Sequence, residues 1–350
     1  MKILYLGTTR EASGWGEAAR SDLRAMQNYF NVVHRPVIYA GRIPSEFEAL
    51  EIKPLKDITH VIQYCLPTEW RRVGDMKHIG YLEIESKDIS RSKWADYFCL
   101  MDEIWVPNTD AVQVVSKIFD GPVKYMPHNI DTKIYENFAN KTEIPEISGT
   151  FKFLNVSENV PRKNLKNLIV AYWREFDPTE PVSLVIKSDE SVTALINSLK
   201  NSIRLYETDA YQKIAILTER YDAQSMLGIY NTADCYINPS MGESWCLPIV
   251  HAMGLNKPII SLMRGGPKDL LEDYNPLYPL CGDAEWCEGH NLIPGYQNAH
   301  DSWIKPTITS LAKSMRYMYE NRKNQQVKPN NTIHKFSYLN FIQNLERNLL

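Results

Sequence analysis

Short apolar runs alternate with amphipathic stretches along most of the chain. Apolar runs of about four to eight residues indicate buried strands, and apolar positions spaced three and four apart indicate helices. Their alternation predicts an α/β fold in which doubly wound parallel sheets are covered by helices. In the first half we predict strands at Lys2–Leu6, Val32–Ile38, His60–Cys65, His78–Leu82, Glu103–Val106 and Val123–Met126, and helices at Gly16–Tyr29, Lys93–Met101 and Thr109–Ile118.

The second half repeats the pattern after a polar segment, 132–149, which lacks a clean period and is predicted to link two domains. We expect Rossmann-like domains at 1–145 and 146–328 and a C-terminal helix within 329–350. Ligands of such sheets bind at the carboxyl ends of the strands. The predicted strands are Phe151–Val156, Val182–Ile186, Ile214–Leu217, Cys235–Asn238 and Pro258–Ser261, and the predicted helices are Asn164–Arg174, Ser191–Leu199, Ala223–Tyr230 and Pro248–Gly254.

Charge and cysteine content narrow the class of protein. The net charge is −3 over 350 residues, and neither half is basic, so a large nucleic-acid footprint is not expected. The six cysteines form no CxxC pair, which suits reduced thiols. The first strand is too short for a signal peptide and no run of about 18 apolar residues occurs, so we expect a cytoplasmic protein without a transmembrane segment.

Candidate chemistry is concentrated at PSMGESWCLPIVHAMG, residues 239–254. A turn of small residues carries one acid, Glu243, and leads into Leu247-Pro248 and a short helix. The free N–H groups and the dipole at that helix start favour an anion. Glu243 is placed to accept hydrogen bonds from hydroxyls attached to that anion. A phosphate bound by amides beside a polyol bound by an acid describes a nucleotide-sugar. The residues predicted to bind it here are Gly242, Glu243, Ser244, Trp245 and Leu247.

This segment resembles glycosyltransferase family 4, whose members are retaining enzymes of GT-B architecture, with two Rossmann-like domains facing a central cleft. Its signature is an acidic loop, a Leu-Pro step and a second Glu eight positions after the first. The chain has His251 at that second position, which in the family holds the donor ribose. An imidazole makes one such bond where a carboxylate accepts two. The matching residues are Glu243, Leu247, Pro248, Ala252, Met253 and Pro258.

Arg162 and Lys163 follow the first strand of the second domain. In the family, an Arg and a Lys of this loop bind the donor diphosphate. Lys163 matches the Lys position, and Arg162 is predicted to substitute for the Arg, whose position holds Glu158. Two cations suit a leaving group that gains negative charge. The alternative for such a pair is an exposed, solvated loop. RGGPKDLL at 264–271 resembles the family's glycine loop facing the donor, and an ordinary strand-to-helix turn explains it equally well.

The first domain offers weaker candidates. Gly14 and Gly16 lie in the loop predicted at Thr8–Gly16, where glycines allow a ligand close to the backbone, and Trp15 lies between them. Glu83 and Glu85 follow a strand. Glu83 is a candidate for contacting the donor sugar or the acceptor hydroxyl, and capping the next helix is its alternative. His128, in PHNID, resembles the family's loop at the end of this domain and is interpreted as a turn residue rather than a catalytic one.

The resemblance implies a retaining glycosyltransferase that moves a hexose or pentose from a nucleoside-diphosphate sugar to an acceptor hydroxyl. Glu243, Lys163, Arg162 and Glu83 are its catalytic candidates, and Trp15, Glu83, Glu85 and His128 lie on its acceptor side. No metal or cofactor is expected. Open alternatives are a transferase acting on hydroxymethylated bases in DNA, an epimerase or phosphorylase of GT-B shape, and a non-catalytic nucleotide-sugar or glycan binding protein. The acceptor, the sugar and the oligomeric state stay open.

Overall fold

The structure is a computed structural model, and it describes residues 1–39, 43–203, 211–287, 296, 301–323 and 331–349. Residue contacts divide the chain into two compact units. The first unit comprises Met1–Thr132, the described residues 296, 301 and 302, and the chain from His334. The second unit comprises Lys133–Asn291 and Trp303–Ile333. The second unit thus begins ahead of the boundary predicted at 145, and the boundary predicted at 328 lies outside the described residues.

Six parallel strands form the sheet of the first unit, in the order β2-β1-β3-β4-β5-β6. Their register places Ile3 beside both Val32 and His60. The chain changes its direction of progress between β1 and β3, which makes their carboxyl ends the switch point of this sheet. The strands are β1 (Lys2–Gly7), β2 (Asn31–Pro36), β3 (His60–Tyr64), β4 (Lys77–Tyr81), β5 (Glu103–Val106) and β6 (Val123–Tyr125).

Several bounds in this unit correct the sequence prediction. Strand β2 ends at Pro36 rather than Ile38, in keeping with the missing N–H donor of proline. Helix α1 (Gly14–Met26) begins earlier than predicted, because the Ser13 side chain accepts a hydrogen bond from the Gly16 amide and caps it. The segment Lys93–Leu100 is a 3-10 helix. The remaining helices are α2 (Glu48–Glu51) and α3 (Thr109–Val115).

The sheet of the second unit also has six parallel strands, in the order β12-β11-β10-β7-β8-β9. Its switch point lies between β7 and β10, whose register places Phe153 beside Cys235. Two further strands, β13 and β14, pair with each other. The strands are β7 (Phe151–Val156), β8 (Val182–Lys187), β9 (Ile214–Leu217), β10 (Cys235–Asn238), β11 (Ile259–Leu262), β12 (Leu277–Leu280), β13 (Gly282–Trp286) and β14 (Ser302–Pro306).

Helices of the second unit cover this sheet, and two of them, α4 and α9, pack against each other. The buried face of α4 contributes Leu168, Ile169 and Trp173 to the core, and α9 contributes Leu311 and Met315. Burying each such side chain is worth about 1.5–3 kcal/mol. The helices are α4 (Leu165–Glu175), α5 (Ser191–Ile203), α6 (Ala223–Thr232), α7 (Leu247–Gly254), α8 (Gly266–Leu271) and α9 (Ile308–Glu320).

The C-terminal helix α10 (Tyr338–Leu349) belongs to the first unit. Its side chains Phe341, Ile342 and Leu345 share a core with Ala19 and Leu23 of α1. Across the described part of the chain, no helix is long and apolar enough to cross a bilayer. All six cysteines are free thiols, and Cys65, Cys235, Cys246 and Cys287 are the buried ones.

Candidate functional site

The switch point of the second sheet brings the loop after β7 next to the loop after β10. Asn164 closes the 3-10 turn Pro161–Lys163 with φ of +57°, a left-handed conformation that Asn tolerates. Its buried side-chain amide donates to the carbonyl oxygen of Pro239 at 3.2 Å, and the Met241 amide donates to the carbonyl oxygen of Arg162 at 2.8 Å. These bonds fix the two loops against each other.

Glu243 meets both predicted cations in this place. The Lys163 Nζ donates to Glu243 Oε1 at 2.6 Å, and the Arg162 Nη1 lies 3.3 Å from Glu243 Oε2. The same Arg162 nitrogen donates to the carbonyl oxygen of Gly242 at 2.6 Å. The structure therefore brings Arg162, Lys163 and Glu243 into one group, and the alternative of an exposed, solvated cation pair is not what is found. We call these three residues the cation-rich cluster.

The cation-rich cluster has a defined protonation state. Burial alone would raise the pKa of Glu243, but Lys163 and Arg162 outweigh it and lower that pKa to about 2. Glu243 is only 8% exposed, yet at neutral pH it is a carboxylate. An ionised carboxylate only accepts hydrogen bonds, so its free acceptor directions suit hydroxyl groups.

A glycine turn supports the loop that carries Glu243. Gly265 has φ of +61°, and a Cβ there would lie 2.3 Å from the carbonyl oxygen of Glu243. The Gly266 amide donates to that same oxygen at 3.1 Å, and a Cβ on Gly266 would lie 2.4 Å from the carbonyl oxygen of Trp245. The turn predicted to face the donor is thus packed closely beneath the backbone of residues 243–245, which explains its two glycines.

Helix α7 begins directly after this loop. Cys246 precedes its first residue with φ of +78°, and Pro248 occupies its first turn, as the sequence predicted. Ser244 and Trp245 are buried, whereas Leu247 and His251 are half-buried. The His251 Nδ1 lies 2.8 Å from the Tyr135 hydroxyl, and the Tyr230 ring centroid is 5.3 Å away from that of His251. His251 is therefore held by aromatic residues of the same unit.

The glycines predicted near a ligand in the first unit lie in the first turn of α1 rather than in a loop. Gly16 has a packing reason to be glycine, because a Cβ there would lie 2.1 Å from the carbonyl oxygen of Glu11. Gly14 faces open space. Trp15 is half-buried and lies 6.0 Å, centroid to centroid, from the Tyr64 ring. Ligand contact by these residues stays a prediction.

Glu83 and His128 belong to a second buried group of charges, in the first unit. The His128 Nε2 lies 2.5 Å from Glu83 Oε1, and the His128 Nδ1 lies 3.1 Å from Asp22 Oδ2 on α1. All three side chains are at most 7% exposed. We call Asp22, Glu83 and His128 the acid-rich cluster. Glu85 is positioned differently, since its backbone amide donates to the Tyr296 hydroxyl at 2.6 Å.

Sequence reasoning missed Asp22. The helical pattern could have identified it, because Asp22 lies on the same face of α1 as the buried residues Ala18, Ala25 and Met26. A charged side chain on a buried face needs a partner. Among the described residues, no set of three or more His, Cys, Asp or Glu side chains is arranged to hold a metal ion.

No protein-family model matches the sequence, and no curated protein matches it. Solved structures do match. Anabaena HepE in complex with UDP-glucose gives a TM-score of 0.66 at 14% identity, over 100% of this chain and 99% of that chain. A glycosyltransferase from Rickettsia africae gives 0.64 at 13% identity, covering 99% and 97%. The trehalose-6-phosphate synthase OtsA gives 0.63 at 8% identity, covering 98% and 96%.

These similarities extend over the full length of the chain and establish its fold. The two parallel six-stranded sheets are Rossmann-like domains, and together they have the GT-B fold. The predicted fold class is confirmed.

Proposed function

We propose that this protein is a retaining glycosyltransferase resembling family 4, which transfers a hexose or pentose from a nucleoside-diphosphate sugar to an acceptor hydroxyl without a metal. The observation that carries the proposal is the cation-rich cluster at the switch point of the second sheet. The binding of UDP by HepE and of UDP and GlcNAc by the glycosyltransferase GtfA, two proteins of similar fold, supports a uridine nucleotide as the first donor to test.

The chemistry of the cation-rich cluster suits a sugar diphosphate. Two cations share one carboxylate, so the group carries a net positive charge that a diphosphate would balance. The partly exposed nitrogens of Arg162 and Lys163 would bind the phosphate oxygens, and they would neutralise the charge that develops when the glycosidic bond breaks. Glu243 would accept hydrogen bonds from the donor sugar's hydroxyls.

The remaining roles follow from the neighbouring residues. Backbone amides between Ser244 and Leu247, at the start of α7, would bind a phosphate or sugar oxygen. His251 would contact the ribose, with its Nδ1 already held by Tyr135. Glu83 would contact the reacting sugar or the acceptor hydroxyl. In this account the protein positions the reactants and stabilises the leaving group, and no residue serves as a covalent nucleophile.

A donor screen by thermal shift tests the proposal. UDP-glucose, UDP-GlcNAc, UDP-galactose, GDP-mannose and a UDP-pentose are compared at equal concentration. A ligand that binds only the folded protein stabilises it by RT ln(1 + [L]/Kd), or about 2.7 kcal/mol at a hundred times Kd. At least one sugar nucleotide is expected to raise the Tm by several degrees. No shift with any of them would contradict the proposal.

Turnover of the best donor then separates the alternatives. Hydrolysis or transfer, followed by NMR of the product's anomeric carbon, is expected to show retention and to be unaffected by EDTA. Inversion of the configuration at that anomeric carbon would contradict the retaining mechanism. Binding without turnover on any sugar, small-molecule or hydroxymethylated-DNA acceptor would identify a binding protein, and transfer to the DNA alone would identify a DNA glycosyltransferase.

A further inference from the structure

The acid-rich cluster in the first unit combines residues from three parts of the fold. Asp22 comes from the buried face of α1, Glu83 follows β4, and His128 follows β6. Asp22 and His128 are at most 1% exposed, and Glu83 is 7% exposed. Removing charges from water is unfavourable unless each one is paired and hydrogen-bonded, so such a group needs close partners.

Hydrogen bonds fix each member of the acid-rich cluster. The Tyr64 hydroxyl donates to Glu83 Oε1 at 3.0 Å, and the Asn129 amide donates to Asp22 Oδ1 at 2.6 Å. The Tyr81 hydroxyl donates to the carbonyl oxygen of Met126 at 2.6 Å, and its ring stacks on His128 with centroids 4.8 Å apart. The orientation of the imidazole is therefore set by the stacked Tyr81 ring and by the bonds at its two nitrogens.

The groups facing His128 decide its charge. The carboxylates of Asp22 and Glu83 favour the imidazolium, although burial raises the pKa of Asp22 against the lowering effect of His128. The buried tyrosines Tyr5, Tyr64 and Tyr81 are neutral because burial raises the pKa of each hydroxyl. Burial alone would lower the pKa of His128, but the two acids raise it to about 10. With both nitrogens protonated, Nε2–H donates to Glu83 and Nδ1–H donates to Asp22.

We infer that His128 is a positioning residue, a permanent imidazolium that holds the Glu83 carboxylate ionised and in a single orientation for contact with a sugar hydroxyl. This inference rests on the proposed function, which assigns Glu83 that contact. Glu83 is the more exposed of the two acids paired with His128. It is therefore the acid through which the cluster's excess negative charge reaches a ligand, while Asp22 anchors the imidazolium from α1.

The pH dependence of turnover distinguishes positioning from simple packing. In His128→Gln, Glu83 loses its positive neighbour, so the acidic limb of kcat/KM for UDP-glucose turnover, or for the best donor of the screen, should move to higher pH by about one to three units. His34→Gln is the matched control. His34 is equally buried, but its two ring nitrogens bond neutral groups, Thr9 Oγ1 and the Tyr5 carbonyl oxygen. That variant should lose stability and keep its acidic limb.

A second measurement does not need activity. Nitrogen-15 NMR of labelled histidine, with His128 assigned from the His128→Gln spectrum, should show the imidazolium persisting to about pH 10 in the wild-type protein. In Glu83→Gln the midpoint should fall by at least about one unit, because one of the two acids that hold the charge is gone.

The outcomes separate the two proposals. A wild-type midpoint near the ordinary histidine value, or one that Glu83→Gln leaves in place, would overturn the inference. So would an acidic limb in His128→Gln that coincides with the limb of the wild-type protein. Absence of turnover with every donor, together with a high histidine midpoint that falls in Glu83→Gln, would instead contradict the proposed function and leave the acid-rich cluster with a purely structural role.

Discussion

The two buried charge clusters of this protein have opposite compositions. In the second unit one acid, Glu243, is shared by two cations, and in the first unit one cation, His128, is shared by two acids. Each cluster lies near the carboxyl ends of a parallel sheet, and each has one excess charge when all members are ionised. The cation-rich cluster therefore suits an anionic ligand, and the acid-rich cluster suits hydroxyl groups or developing positive charge.

Exposure also differs between the clusters. The side chains of Arg162 and Lys163 are 20% and 17% exposed, whereas those of His128 and Asp22 are at most 1% exposed. Arg162 and Lys163 thus present exposed surface to a ligand, whereas Glu83 is the most exposed member of the acid-rich cluster, at 7%. In the two proposals above, the ion pairs of the second unit would bind the ligand directly, and those of the first unit would support Glu83.

Breaking the acid-rich cluster should have the largest effect on stability. His128→Gln leaves two buried carboxylates without their cation, which is expected to lower the free energy of unfolding by about 4 kcal/mol. Because the folded pKa of about 10 lies above the ordinary value of 6.5, the contribution is complete below pH 6.5 and is lost as pH rises towards 10. Guanidinium unfolding should show that the difference in free energy of unfolding between wild type and His128→Gln is smaller at pH 10 than at pH 6. An equal difference at the two pH values would contradict this prediction.

Breaking the cation-rich cluster should give the opposite pH dependence. Glu243→Gln removes the carboxylate that Lys163 and Arg162 share and is expected to lower the free energy of unfolding by about 3 kcal/mol at neutral pH. The folded pKa of about 2 lies below the ordinary value of 4.5, so the contribution is present above pH 4.5 and is lost as pH falls towards 2. Acid titration of both proteins by circular dichroism should show their stabilities converging at low pH.

Removing one cation tests whether the clusters differ in function as well as in charge. Lys163→Ala should reduce turnover about a hundredfold, the usual effect of losing one preorganised charge stabiliser, because Lys163 holds Glu243 and, in the proposed function, would bind the diphosphate. Lys166→Ala, an exposed residue of α4, is the matched control and should stay within about twofold of wild type. Equal activity of the two variants would exclude the diphosphate role.

The glycine turn beneath Glu243 allows a test by shape alone. Gly265→Ala should destabilise the protein by about 2 kcal/mol, because φ of +61° disfavours a side chain and the new Cβ meets the Glu243 carbonyl oxygen. Gly149→Ala is the control, since it has φ of +74° and no atom within 4 Å of its Cβ, so it measures the backbone term alone. Thermal unfolding should show the larger loss for Gly265→Ala.

The smallest effect is expected at His251. If the imidazole replaces the family's ribose-binding acid, His251→Glu should bind the donor as well as wild type or up to about tenfold better, since a carboxylate accepts two hydroxyl bonds. Isothermal calorimetry with UDP measures this. Complete loss of binding would mean that the bond from His251 to Tyr135 has a different purpose.

Hydrophobic periodicity was enough to predict eleven of the twelve strands that make the two sheets, and it missed the edge strand β12. Four of them, including β7 and β10, match the predicted bounds without change. The proximity of the residues of the cation-rich cluster could also be predicted. Arg162 and Lys163 follow β7 and Glu243 follows β10, and the carboxyl ends of these adjacent parallel strands lie side by side. What the sequence did not reveal is that the two cations pair with Glu243 itself.

Helix α9 and the acid-rich cluster were not predicted from the sequence. Helix α9 was not predicted, although Leu311, Met315 and Met318 have the spacing of an amphipathic helix. The acid-rich cluster joins residues 22, 83 and 128, which no local pattern connects, so Glu83 and His128 were identified separately and Asp22 was not. His128 was interpreted as a turn residue because its charge depends on two acids that only the fold brings near.

The last described helix, α10, also supports the acid-rich cluster indirectly. Because α10 packs on α1, and α1 supplies Asp22, the final twelve described residues brace an acid located near the opposite terminus. Loss of α10 would remove this packing from α1, and so from one of the two acids that pair with His128. Proteolytic clipping after Ser337 should likewise loosen the N-terminal half before it disturbs the C-terminal one.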